Sequence, residues 1–213
     1  PNCPIVYCDG YVYTGFWNSE TKQAHFVCLS VTDEDTAQTD EAKLPTWTYT
    51  HNGFYWAGAY ACEDFVLVGT DDGASGYTTG YASILSLDPK TGILLDEEKL
   101  PNVGDQRSSI CYDEATDAYY FTTKGGDFYQ VKVNTDGTFK ENTLRRLHLD
   151  NSSDKVTNPP MSTSTPVIYN GRAYIGVSGT SQFGNYSGHN MTVIDLESFS
   201  IAYSVATMGY PQT

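Results

Sequence analysis

Apolar residues in this chain come in short runs broken by Gly, Asp, Asn and Pro, and no stretch repeats them at the 3.6-residue spacing of an amphipathic helix. The runs are rich in Val, Ile, Tyr and Phe, residues that fit a pleated, half-buried strand. One grammar recurs four times: strand, tight polar turn, strand, variable loop, strand, turn. The first copy reads Pro4–Cys8, then Asp9-Gly10, then Tyr11–Gly15. The second reads Ala59–Cys62, Glu63-Asp64 and Phe65–Gly69. The third reads Ser108–Tyr112, a longer Asp113–Asp117 turn and Ala118–Thr122, and the fourth Thr165–Tyr169, Asn170-Gly171 and Arg172–Gly176. Asp-Gly and Asn-Gly between apolar runs predict hairpins, because both central residues of a type I′ turn need positive φ.

Third strands are predicted at Phe26–Val31, Ala82–Asp88, Phe128–Asn134 and Met191–Asp195, and fourth strands at Thr46–Thr50, Ile93–Leu100, Thr138–Leu149 and Ile201–Thr207. Thr46-Trp47-Thr48-Tyr49-Thr50 alternates strictly, as a half-exposed outer strand does. The turns after the third strands, at Thr32, Asp88, Asn134 and Asp195, are 56, 46 and 61 residues apart. Four strands in a period of roughly 40–50 residues mark propeller blades, whose sheets bury their faces against their neighbours. A β-sandwich with regular turn spacing is the competing architecture. The expected fold is all-β: a β-propeller-like array of about four four-stranded antiparallel blades, at 1–52, 53–102, 103–150 and 151–213, forming part of a larger propeller.

Composition narrows the function classes. The formal net charge of −14 argues against a nucleic-acid partner, whose phosphates need a basic surface, and opposes an anionic membrane. No apolar run is long enough to span a bilayer, so no direct membrane insertion is expected. Cys3, Cys8, Cys28, Cys62 and Cys111 are odd in number and irregular in spacing, a poor disulfide framework. No CxxC or Cys/His cluster suggests zinc.

The first-to-second turns are minimal, whereas the second-to-third loops are long: Phe16–His25, Thr70–Tyr81 and Gly179–Asn190. The blade-to-blade connections carry His51–Trp56, Pro101–Arg107 and Asn151–Ser162. In a propeller both kinds of loop emerge on one face, so length and aromatic content gather there, where a rigid scaffold presents binding residues. Flat rings give contact area at low entropy cost, and small polar residues give adaptable hydrogen bonds. The candidate ligand-binding residues are His51, Tyr55, Trp56, Asp71, Asp72, Tyr77, Asp105, Arg107, Phe183, Tyr186 and His189. Such a surface suits a glycan, a peptide or another protein domain. His25, His51, His148 and His189 are scattered, and no GxSxG, HExxH or phosphate-cradling loop occurs, so no catalytic residue is assigned. Asp71-Asp72-Gly73 lacks the alternating acidic pattern of an EF-hand loop, and no metal ligand is assigned.

The phrases Ser83–Leu95 and Ser164–Gly176 resemble the repeats of pyrroloquinoline-quinone-type (PQQ-like) propellers. That family includes quinoprotein dehydrogenases and non-enzymatic relatives such as outer-membrane assembly lipoproteins. Its repeats carry Asp, a Gly four residues on, and four residues later a Trp that docks neighbouring blades. Asp88 and Gly92 match, but Asp96 stands at the Trp position; in the fourth copy Asp195 is followed by Phe199 and Tyr203. No motif matches the family's calcium ligands, carboxylate base or stacking Trp. The resemblance therefore implies a non-catalytic binding or scaffolding module of a secreted or cell-surface bacterial protein, without cofactor, its ligand on the long-loop face. The alternative is a quinone- or metal-dependent oxidoreductase using PQQ and calcium. Self-association to complete a propeller ring is a further expectation.

Overall fold

Short alternating runs with no helical period leave the chain one way to satisfy its backbone, which is to pair adjacent strands. The computed structural model describes residues 3–33, 36–37, 42–75, 80–149, 160–179 and 190–207. The first sheet contains β1 (Val6–Cys8), β2 (Tyr11–Gly15), β3 (Ala24–Ser30) and β4 (Trp47–His51). The second contains β5 (Tyr60–Ala61), β6 (Val66–Gly69), β7 (Tyr81–Leu87) and β8 (Leu94–Pro101). The third contains β9 (Cys111–Asp113), β10 (Ala118–Thr123), β11 (Asp127–Val131) and β12 (Arg145–His148). Each runs antiparallel in sequence order. In the fourth, β13 (Pro160–Met161) and β14 (Val167–Tyr169) both pair with β15 (Arg172–Gly179), followed by β16 (Asn190–Asp195) and β17 (Ser200–Ala206). The fold is all-β, an array of propeller blades.

The hairpin turns follow their sequence chemistry. Asp9 and Gly10 have φ of 44° and 82°, and Asn170 and Gly171 have 49° and 72°, both positive as type I′ demands. The longest expected strand, Thr138–Leu149, is shortened: only Arg145–His148 pairs along β11. Its first half is consumed by a turn in which the Thr143 hydroxyl donates to the Lys140 carbonyl, with Asn142 at φ 61°.

Three apolar clusters fill the seams between successive sheets. Tyr13, Phe26, Cys28 and Trp47 meet Val66, Val68, Leu85 and Leu87 across the first seam. Phe65, Leu67 and Ile84 meet Tyr119, Phe121 and Tyr129 across the second. Ala118, Tyr120 and Phe128 meet Ala173, Ile175 and Ile194 across the third. Each middle sheet thus sends alternate side chains to opposite neighbours, which is why its central strands are buried on both faces. Among the described residues no cluster joins the fourth sheet to the first.

Strand register makes the seams comparable. Trp47, opposite Cys28, stands where Asp96 stands opposite Ser86 and Arg145 opposite Gln130. Trp47 Nε1–H donates to the Pro89 carbonyl at 2.9 Å, and its ring lies against Gly92 of the next sheet. A Cβ at Gly92 would sit 2.6 Å from that ring, and its φ of 70° favours glycine in any case. The docking Trp sought inside the second repeat therefore comes from the first. Asp96 instead accepts the Phe139 N–H at 2.8 Å, and Arg145 lies over the Phe199 ring at 4.1 Å. Phe199, at φ 50°, occupies the turn position held by Gly92 and Gly137 in the sheets before it.

Candidate functional site

At one end of the first two seams the second-to-third loops and the sheet-to-sheet connections converge. The β2–β3 loop brings Trp17 and Glu20, the β4–β5 connection Tyr55 and Trp56, and the β6–β7 loop Asp71 and Asp72. Asp105 and Arg107 come from the β8–β9 connection and Lys124 from the β10–β11 turn. The approach is close because residue 53 is glycine. A Cβ there would lie 2.8 Å from the Trp17 ring and 2.9 Å from an Asp71 oxygen, whose own N–H donates to the Gly53 carbonyl.

Arg107 is the centre of the group and is buried. Its Nε and Nη2 donate to the two Asp71 oxygens, each at 3.1 Å, the forked geometry in which guanidinium binds carboxylate best. Nη2 also lies 2.9 Å from Asp105 Oδ2 and 3.1 Å from Glu20 Oε2. Lys124 Nζ reaches the same Asp105 oxygen at 3.0 Å, and Asp105 Oδ1 accepts the Asp72 N–H. Asp72 Oδ1 accepts the Ala74 N–H, while Oδ2 is buried with no hydrogen-bond partner among the described residues. Burial and the neighbouring Asp105 push Asp71 up to about 7, against the pull of Arg107. Burial, with Asp105 nearby, also raises Asp72. On Arg107, burial works against the charge, but Asp71 and Asp105 outweigh it and hold the guanidinium more firmly protonated than usual.

Over this knot lies an aromatic stack. The Arg107 guanidinium is 4.8 Å from the Tyr55 ring centre, within cation–π range. Tyr55 in turn packs on Trp17 at 5.0 Å and on Trp56 at 4.6 Å. Trp56 has φ 62°, a conformation a bulky side chain adopts only when its surroundings impose it. Trp17 is 40% exposed, so the stack ends at solvent.

Oxygens of Glu20, Asp71 and Asp105 lie within 4.8 Å of one another, a spacing that suits a metal ion. Arg107 Nη2 already contacts all three and supplies the cation they need. With that place taken, these three carboxylates do not fit a calcium ion.

The structure brings together Tyr55, Trp56, Asp71, Asp72, Asp105 and Arg107 from the sequence expectation. The four charged residues lie beneath the surface, and the aromatic rings form the outer layer. His51 does not join them. It stacks along Tyr49, and its Nε2 lies 3.8 Å from Glu97 of β8. Burial, more than Glu97 offsets, makes its ring harder to protonate. The reason is register: His51 is the last residue of β4, paired with Ala24, and the strand has not yet given way to the loop. Tyr77, Phe183, Tyr186 and His189 lie outside the described residues. Glu20, Trp17 and Lys124 had carried no motif, although the length of the Phe16–His25 loop pointed to the first two. A separate cavity of about 540 Å³ opens on the opposite face, between the β9–β10 turn and the β14–β15 hairpin, lined by Thr116, Tyr169, Arg172, Asp195 and Glu197.

A solved structure shares this architecture. BamB from Moraxella catarrhalis, a β-propeller protein, superposes with a TM-score of 0.55 at 13% identity, over 98% of this chain and 65% of that one. Two structures of AztD from Citrobacter koseri, one of them the apo form, match at TM-scores of 0.41 and 0.39, with 11% and 14% identity, over 98% of this chain and 60% of theirs. The chain therefore spans less than two thirds of these proteins' lengths. At such identities the likeness is one of fold alone. No family model and no curated protein matches the sequence.

Proposed function

We infer that this chain is a non-catalytic binding module of an extracytoplasmic bacterial protein, and that its ligand is a glycan seated on the Trp17–Tyr55–Trp56 stack. The observation that carries the reading is the way the stack is held. Three rings pack in series on a buried guanidinium that is itself tied to three carboxylates. A surface fixed in this manner loses little conformational entropy on binding. Sugar rings present weakly positive C–H faces to the negative face of an aromatic ring. The buried Asp71, Asp105 and Arg107 act as supports for the rings and do not touch the ligand. The parent chain is screened on a glycan array, and affinity for the best glycan is then measured by calorimetry. Trp17→Ala and Tyr55→Ala are each expected to weaken binding at least tenfold with unchanged circular dichroism. A parent that binds no glycan but captures peptides at the same rings overturns the carbohydrate reading. Tight, stoichiometric uptake of PQQ with calcium in equilibrium dialysis overturns the non-catalytic one.

A further inference from the structure

The strand registers identify, on the fourth sheet, the leading half of a seam whose centre, Val193, is buried but whose flanking positions are open among the described residues. Pairing of β15, β16 and β17 places Tyr174 where Tyr13, Leu67 and Tyr120 stand, and Met191 where Phe26, Ile84 and Phe128 stand. Tyr203, opposite Val193, takes the docking position of Trp47, Asp96 and Arg145. In the first three sheets these positions close against the following sheet. Here Met191 is 37% exposed where its three equivalents are at 1% or less, and Tyr203 is 44% exposed where Trp47 is 8%. Val205 beside them is 47% exposed. Met191 thus stands at a position buried in all three other sheets, and Tyr203 and Val205 at positions that are buried or half-buried there. Apolar side chains exposed together at such positions on one face of a sheet mark an interaction surface.

The complementary half lies on the first sheet. Val12, Thr14, Val27 and Leu29 occupy the positions at which Val66, Val68, Leu85 and Leu87 receive the preceding sheet across the first seam. Val12, Thr14 and Leu29 remain partly exposed. We propose that the fourth sheet of one copy docks on the first sheet of a second copy, forming a fourth seam of the kind the chain makes three times within itself. The occupant is argued from continuity: the exposed face repeats the leading half of an established interface, and the same molecule carries the trailing half. Such a contact is heterologous, joining unlike surfaces, and two of them close a pair of chains into a ring.

Light scattering coupled to gel filtration tests this on the whole 213-residue chain, with expected mass twice the 23.5 kDa of one chain. Tyr203→Arg on the leading face and Leu29→Arg on the trailing face are each expected to halve the mass, because either change spoils both seams of the pair. Mixing the two variants restores one intact seam and returns the mass to that of a pair. Val205→Lys on the leading face, at a site already open to solvent, and Val12→Lys on the trailing face, at a partly exposed one, repeat the test should Tyr203→Arg or Leu29→Arg disturb the packing within its own sheet. A monomeric parent overturns the proposal, and so does an assembly that neither face's substitution affects.

Discussion

The first and third seams use the same register positions with different chemistry. Across the first, Trp47 buries its ring on Gly92 and donates to a main-chain carbonyl. Across the third, Arg145 lays its guanidinium on Phe199 and reaches the Leu196 carbonyl at 3.4 Å. Both give the neighbouring turn one hydrogen bond and one flat contact. They differ in what surrounds them. Trp47 is almost sealed from water, and the far end of its seam is tied by the Arg107 knot, which spans the loops of the first three sheets. Arg145 is half-buried at the rim. The lesson is that geometry at the docking position persists through a change of residue, while the energy it contributes follows burial.

The largest effect is expected from the knot. Arg107→Met keeps the length of the side chain but leaves Asp71 buried without its cation, and Asp105 with Lys124 alone. Removing one partner of such a pair costs about 3–5 kcal/mol, because the other charge stays desolvated. Urea denaturation should show that loss, with cooperativity retained. The same knot sets a pH dependence. The folded pKa of Asp71, about 7, lies above its ordinary 3.8, so the native state retains a proton that the unfolded chain has released. That contribution is complete below the unfolded value and disappears as pH rises through about 7, amounting to a few kcal/mol at most. The melting temperature of the parent should therefore fall across this window, and Asp71→Asn should flatten the slope. Asp88, whose pKa is lowered by hydrogen bonds from Thr91 and Lys90 despite slight burial, acts oppositely. Its contribution is lost as pH falls below the ordinary carboxylate value, outside the window of Asp71.

Next comes the first seam. Trp47→Ala removes a buried indole and its hydrogen bond and is expected to destabilise the chain by about 3 kcal/mol. Trp47→Phe, which keeps the flat contact and loses the donor, should cost about 1–2 kcal/mol. The difference between the two, read from the same denaturation curves, separates packing from hydrogen bonding at this position.

The strands were legible because their signals are local. A period of two, closed by Asp9-Gly10 or Asn170-Gly171, defines a hairpin within a dozen residues. The docking Trp is not legible within one repeat, because Trp47 lies in the first repeat and its partner Gly92 in the second. The knot was half legible. Asp71, Asp72, Asp105 and Arg107 drew notice as loop charges, but sequence does not distinguish a carboxylate that greets a ligand from one that faces an arginine 36 residues away. Glu20 is further still, 87 residues from Arg107, and carried no local signal.

The smallest effect belongs to the third seam and bears most directly on the comparison. Arg145→Ala loses a cation–π contact at a partly exposed site, worth about 0.5–1 kcal/mol, and a long hydrogen bond that adds little. If docking energy follows burial, Arg145→Trp should not approach the stability that Trp47 provides. Phe199 holds the turn position with a side chain, so an indole has no glycine face on which to lie. Pairing Arg145→Trp with Phe199→Gly removes that obstruction and rebuilds the first seam's arrangement at the third. Glycine also tolerates the positive φ that Phe199 now adopts. The double variant should be more stable than the sum of its single changes, by about 1 kcal/mol in a double-mutant cycle. Simple additivity would mean that the two docking modes do not depend on the residue at the turn, and that the likeness between the seams ends at the backbone.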